Sequence, residues 1–269
     1  MIQALLHGKL SSEFQRNPFE IEDLLTSTVL GACQYVPPRA ALIPFFSLAR
    51  TADDRYLEQD LLAIKGIRYV FWPRWKPVEF CAPRTPDDPD RQTEDAPPGS
   101  EPELVLEITY EDERAAWLLI EAKLYSGKSS QAGTGSSPTD QLGKYWVQLQ
   151  QRTRGVAFPL GIVYLTQHII FPRSELEDTQ RELVQKGLAP APLYWLSWRQ
   201  FVDAVRVDED PTGLLRDVVE LMRARWRLLL PRLNPWPDPP RLPAPWSYGF
   251  AWNGMNVPEP RWSYEEGRQ

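Results

Sequence analysis

Between positions 103 and 123 the chain runs through two apolar stretches joined by charge. Residues 103–109 (ELVLEIT) alternate polar and apolar as a half-buried strand does. Residues 115–123 (AAWLLIEAK) are apolar until their charged end, and Tyr110–Arg114 (YEDER) between them reads as an exposed turn. A turn centred on Asp112 makes paired positions sum to 224, which sets Glu103 opposite Glu121 and Glu107 opposite Trp117. Side chains alternate along a strand. One face of the hairpin therefore carries Leu104, Leu106, Ile108, Leu118, Ile120 and Ala122. The other carries Glu103, Val105, Glu107, Trp117, Leu119, Glu121 and Lys123, with three carboxylates and the lysine toward one end.

The remaining periodicities predict a helix, this hairpin, then alternating helices and strands. Asn17-Pro18-Phe19-Glu20 is a helix start, and Ile21, Leu24, Leu25, Thr28, Val29 and Ala32 form its apolar stripe. Residues 40–65 predict further helix, clearest over Tyr56–Ile64, and Gly66–Trp72 predicts a strand. A helix opens at Gln141, capped by Thr139 or Asp140, with Leu142, Tyr145, Trp146 and Leu149 inward. Strands follow at Leu160–Thr166 and Leu193–Leu196, with a helix over Ser174–Lys186 between them. Ser197 caps the next helix, and Asp210-Pro211 starts a long one reaching about Leu230. The fold class is α/β, a central mixed β-sheet flanked by helices. Residues 1–230 form one domain, interrupted by mobile loops at 82–100 and 126–138 whose Pro-, Gly- and Ser-rich composition resists packing. Residues 231–269, rich in proline and tryptophan, read as an extension that packs on the core.

Composition narrows the chemistry. Two histidines (His7, His168) leave little for a His-rich zinc site or a Ser-His hydrolase. Two cysteines, Cys33 and Cys81, have no metal-binding spacing and suit a reducing, cytoplasmic setting. No long apolar run predicts a membrane span, and the N-terminus lacks a signal-peptide pattern. A net charge of −6 argues against a broad nucleic-acid-coating surface and leaves phosphate contact to local groups, with a protein partner to help load substrate.

Carboxylates set opposite each other repel, and a divalent cation between them removes the cost. Mg²⁺ takes one or two carboxylates plus water and phosphate oxygens. Lys123, on the side of Glu121, can orient or deprotonate an attacking water or neutralise developing charge. A solvated sheet face is the bland alternative.

Pro102-Glu103, then Glu121-Ala122-Lys123, then Gln141-x-x-x-Tyr145, in this order, resemble the motifs of the PD-(D/E)xK nuclease superfamily, the last that of its RecB-like and Cas4-like branch. The resemblance implies a restriction-endonuclease-like core. It implies Mg²⁺ or Mn²⁺ held by Glu103, Glu121 and the Ala122 carbonyl, with Lys123 catalytic and Gln141 and Tyr145 supporting the site or substrate. Glu103 stands where the family usually has Asp, and Glu107 is the fallback ligand. Glu22 on the N-terminal helix is the candidate third acid. Lys128 in the second loop, Tyr145, Arg223 and Arg227 are the candidate nucleic-acid contacts. The implied activity is metal-dependent hydrolysis of phosphodiesters, DNA above RNA, in bacterial defence, repair or mobile-element processing. The alternative is a non-catalytic binding or scaffold subunit of the same fold.

Overall fold

A computed structural model describes residues 18–61, 63–75, 101–124 and 138–223 of the chain. Its helices are α1 (Pro18–Ala32), α2 (Leu42–Phe46), α3 (Gln141–Thr153), α4 (Arg173–Gln185), α5 (Trp198–Ala204) and α6 (Leu214–Leu221). Its strands are β1 (Ile64–Phe71), β2 (Leu104–Tyr110), β3 (Ala115–Ala122), β4 (Phe158–Thr166) and β5 (Leu193–Ser197), side by side in that order in one sheet. The first two pairings are antiparallel and the last two parallel, so the sheet is mixed. Parallel neighbours need a crossover. Helices α3 and α4 supply one each, and both pack on the same face.

The hairpin has the predicted register. Leu104 pairs with Ile120, Leu106 with Leu118 and Glu107 with Trp117, every pair summing to 224. Its two faces enter two different cores. Leu104, Leu106, Ile108, Leu118, Ile120 and Ala122 pack with α1, α2, α5 and α6. Val105 and Leu119 pack with Ile162, Tyr164 and Trp195 under α3 and α4. The sheet is thus covered on both sides, and the acid-bearing face is not a solvated one.

A bulge in β4 shifts the pairing between Trp117 and Leu118, from Pro159 to Gly161. Gly161 has φ +149°, and a Cβ there would lie 2.5 Å from the Pro192 carbonyl oxygen. That oxygen already accepts the Ile162 N–H at 2.9 Å, so it cannot retreat freely. Gly161→Ala is expected to cost about 3 kcal/mol, read as a lower urea midpoint at unchanged slope. A midpoint equal to wild type would show that β5 shifts at no cost.

Two sequence expectations need correction. The helix expected over Tyr56–Ile64 is a short 3₁₀ turn, Leu57–Leu61. Ala63 takes φ +57°, which breaks a right-handed helix, and β1 begins at Ile64. The helix expected from Pro211 starts at Leu214. Asp210 turns the chain first, accepting from the N–H groups of Thr212 (2.9 Å) and Leu215 (2.7 Å), and Gly213 is left-handed at φ +75°. Its expected run to Leu230, both proposed loops (residue 138 aside) and the 231–269 extension lie outside the described residues. No helix among the described residues is long and apolar enough to cross a membrane.

Candidate functional site

Where β3 ends, six of the singled-out side chains meet. Glu121 is the penultimate residue of β3 and only 1% exposed. Lys123 extends the strand by one residue, its N–H donating to the Leu165 carbonyl of β4 at 2.7 Å. Strand alternation then sends both side chains the same way, and the Lys123 Nζ reaches Glu121 Oε1 at 2.7 Å. Glu103 lies one position before β2, next in the register to Glu121, and is buried. From the other face, α1 brings Glu22 over the sheet end. Its Oε1 is 3.2 Å from Lys123 Nζ, and its Oε2 accepts the Leu124 N–H at 2.6 Å.

Helix α3 closes the cluster. Gln141 Nε2 donates to Glu121 Oε1 (2.8 Å) and to the Tyr145 hydroxyl (3.0 Å), one helical turn further on. The Tyr145 hydroxyl lies beside Glu121 but donates to the Glu101 carbonyl at 3.3 Å. Tyr145, a candidate nucleic-acid contact in the sequence, is buried within the cluster. The other oxygen of Glu121, Oε2, is buried and has no hydrogen-bond partner among the described residues.

This grouping is electrostatically expensive. Burial, then the charges of Glu121 and Asp23, push the Glu103 carboxyl well above the usual carboxylate range. Burial also raises Glu121, although Lys123 pulls it back. Burial works against the Lys123 ammonium, but Glu121, Glu22 and Glu103 outweigh it, so Lys123 holds its proton more tightly than an ordinary lysine.

Three contributors were not singled out from sequence. Trp72 donates its indole N–H to Glu103 Oε2 at 2.9 Å. The signal was the β1–β2 register: Phe71 pairs with Leu104, which sets Trp72 across from Glu103. Asp23 adds its charge. The third is Glu182, which braces the cap that aims Gln141. Asp140, the expected N-cap, accepts from Leu142 and Gly143 N–H groups through Oδ1 (2.9 and 3.2 Å), which also takes the Thr179 hydroxyl at 2.8 Å. Glu182 of α4 in turn accepts the N–H groups of Thr139 (2.6 Å) and Asp140 (3.0 Å).

Those bonds hold the Glu182 carboxyl below the usual range despite its burial. Its stabilisation is therefore fully present above the ordinary value of 4.5 and is lost as pH falls through the depressed folded value. Glu182→Gln is expected to be less stable than wild type by about 1 kcal/mol at neutral pH. The gap should close in acid. Urea unfolding at several pH values reads this, and a gap independent of pH would sink it.

Other candidates lie elsewhere. Glu107, the fallback ligand, sits four residues along β2, about 13 Å from Glu103. There it takes the Arg68 Nε at 2.7 Å. The third acid of the cluster is Glu22, not Glu107. Arg223 is exposed and paired with Glu220 at 2.8 Å. Lys128 and Arg227 lie outside the described residues. Cys33 is buried with its thiol pushed up to about 12 by burial, which leaves it unreactive.

Among the described residues, no three His, Cys, Asp or Glu side chains converge as a protein-only metal cage. The oxygens open to a cation there are those of the buried Glu103 and Glu121 carboxylates, one of them unsatisfied. Compared with family models, with curated proteins and with solved structures, the chain matches none.

Proposed function

We propose that this chain is a divalent-metal-dependent nuclease, acting on phosphodiester bonds of DNA before RNA, on a restriction-endonuclease-like core. The observation that carries the reading is the partnerless Oε2 of Glu121, buried beside a second carboxylate and a lysine. Burying a charged oxygen without a partner costs free energy that a structural role does not require. Either a proton or a cation must sit there, and clustered perturbed groups mark sites of chemistry.

Glu103, Glu121 and the Ala122 carbonyl would hold Mg²⁺ or Mn²⁺. Such an ion lowers the pKa of water and neutralises phosphate charge. Lys123, kept protonated, serves as a donor: it orients the attacking water or meets the developing negative charge. That favours these roles over proton abstraction. Glu22 fixes the ammonium from the far side, and Gln141 fixes Glu121 through Oε1, which leaves Oε2 open. The ordered motifs of the PD-(D/E)xK resemblance support the same assignment, and a protein partner that loads DNA suits the net charge of −6.

The test is incubation with end-labelled single- and double-stranded DNA, and with RNA, in Mg²⁺, Mn²⁺ or EDTA. Cutting with metal and none in EDTA is expected. A well-folded chain that cuts nothing under any metal would overturn the nuclease and leave the binding or scaffold subunit.

A further inference from the structure

We propose that the cleft at the C-terminal end of β5 binds a single strand of nucleic acid, taking the nucleotides that flank the phosphate at Glu103 and Glu121. The inference rests on the nuclease reading of that cluster.

Position is the first argument. Strands β3, β4 and β5 are parallel, so their C-terminal ends share one edge. Open sheets bind ligands outside such ends. Hydrogen bonds tie the edge together: Lys123 N–H to Leu165 O (2.7 Å), Trp195 Nε1 to Thr166 Oγ1 (3.0 Å) and Arg199 Nε to Gln167 O (3.2 Å). Glu121, Tyr164 and Trp195 are register mates, two strand spacings or about 10 Å across.

Charge is the second. The cleft, about 340 Å³, is lined by Arg50, Arg199, Leu48, Tyr56, Ile169 and Gln200 beside Trp195, and no carboxylate among the described residues lines it. The cleft by the hairpin turn, at the other end of the sheet, holds Asp60, Glu111 and Asp112 against a single arginine. Two arginines, Arg50 and Arg199, thus line the cleft at the sheet edge that carries the cluster, in a chain of net charge −6. Arg50 pairs with Asp54 at 3.0 Å, an exposed ion pair of little worth that a phosphate can replace.

Exposed apolar surface is the third. Tyr56 is 50% exposed, Ile169 65% and Ile170 81%. Arg50 and Arg173 lie over the Phe171 ring at 5.3 and 5.7 Å, extending the same mixed surface. Arginines for phosphate beside flat apolar groups for bases are what a single strand requires. A duplex keeps its base faces hidden and leaves Tyr56 nothing to stack on.

Fluorescence anisotropy with a labelled single-stranded oligonucleotide and its duplex, with Ca²⁺ in place of Mg²⁺, tests this. Tyr56→Ala is expected to weaken single-strand binding about tenfold. Arg50→Gln is expected to lower the salt slope by about one. Both side chains are partly exposed, and circular dichroism checks the fold. If both variants bind as wild type does while the protein still cuts DNA, the cleft is wrong and the nuclease stands. If Tyr56→Ala loses binding but wild type cuts nothing with any metal, the cleft stands and the nuclease falls. Wild type that binds no nucleic acid overturns both. Duplex binding as tight as single-strand binding overturns the strand assignment.

Discussion

Glu121→Ala and Lys123→Ala are each expected to cut metal-dependent DNA cleavage by about a thousandfold. Among the described residues Glu121 is the carboxylate with a buried oxygen that has no hydrogen-bond partner, so its removal would take away the central ligand of the proposed metal. Lys123 bridges Glu121 at 2.7 Å and Glu22 at 3.2 Å, so its removal strips the one donor aimed between them. The two variants differ in stability, which separates chemistry from folding. Losing Glu121 removes a buried charge. Losing Lys123 leaves buried carboxylates unopposed, at a cost of roughly 3–5 kcal/mol. Lys123→Met, similar in volume, is the milder companion, and rates are compared well below each melting temperature. Glu107→Gln is the control: paired with Arg68 and remote from the cluster, it should cut within about twofold of wild type, the ordinary range for a surface change. Full activity in Glu121→Ala, or a large loss in Glu107→Gln, would move the metal along β2 and sink the assignment.

The hairpin was legible because one local rule decides it. Once Asp112 centres the turn, the register follows, and with it the position of Glu103 across from Glu121. The α3 start was legible for the same reason, since Asp140 caps its own helix through Leu142 and Gly143. What stayed hidden depends on partners distant in sequence. Trp72 reaches Glu103 only through the β1–β2 pairing, and Glu182 reaches Thr139 and Asp140 only when α4 packs beside α3. Glu22 was visible as a helix glutamate but not as a clamp, because its partners, Lys123 and Leu124, lie on another element. Tyr56–Ile64 misled because its spacing looks helical, whereas Ala63 turns left-handed and Ile64 pairs with Tyr110. Local signals thus located the clustered groups, and tertiary contacts alone revealed what holds them.

In EDTA, the folded protein is expected to lose stability as pH rises from acid to neutral, opposite to the usual behaviour of ion-paired carboxylates. Burial, then the charges of Glu121 and Asp23, raise Glu103, and burial raises Glu121. Between the ordinary value of 4.5 and the raised folded values, the native chain keeps protons that the unfolded chain has released. The native state then binds more protons, so stability falls with pH across that window and levels off above it. Glu103→Gln removes one of these groups while its amide oxygen can still accept from Trp72 Nε1. At pH above the window the variant should be more stable than wild type by about 2 kcal/mol, the scale of relieving one buried charge. A bound Mg²⁺ would take the place of the retained protons, so it should stabilise wild type most at high pH, by about 2.7 kcal/mol at a hundred times its dissociation constant. Glu103→Gln should gain much less. Thermal melts across pH, with EDTA or Mg²⁺, read all three effects. If Glu103→Gln is the less stable protein at high pH, or if Mg²⁺ stabilises both proteins equally, the buried pair is not what receives the metal.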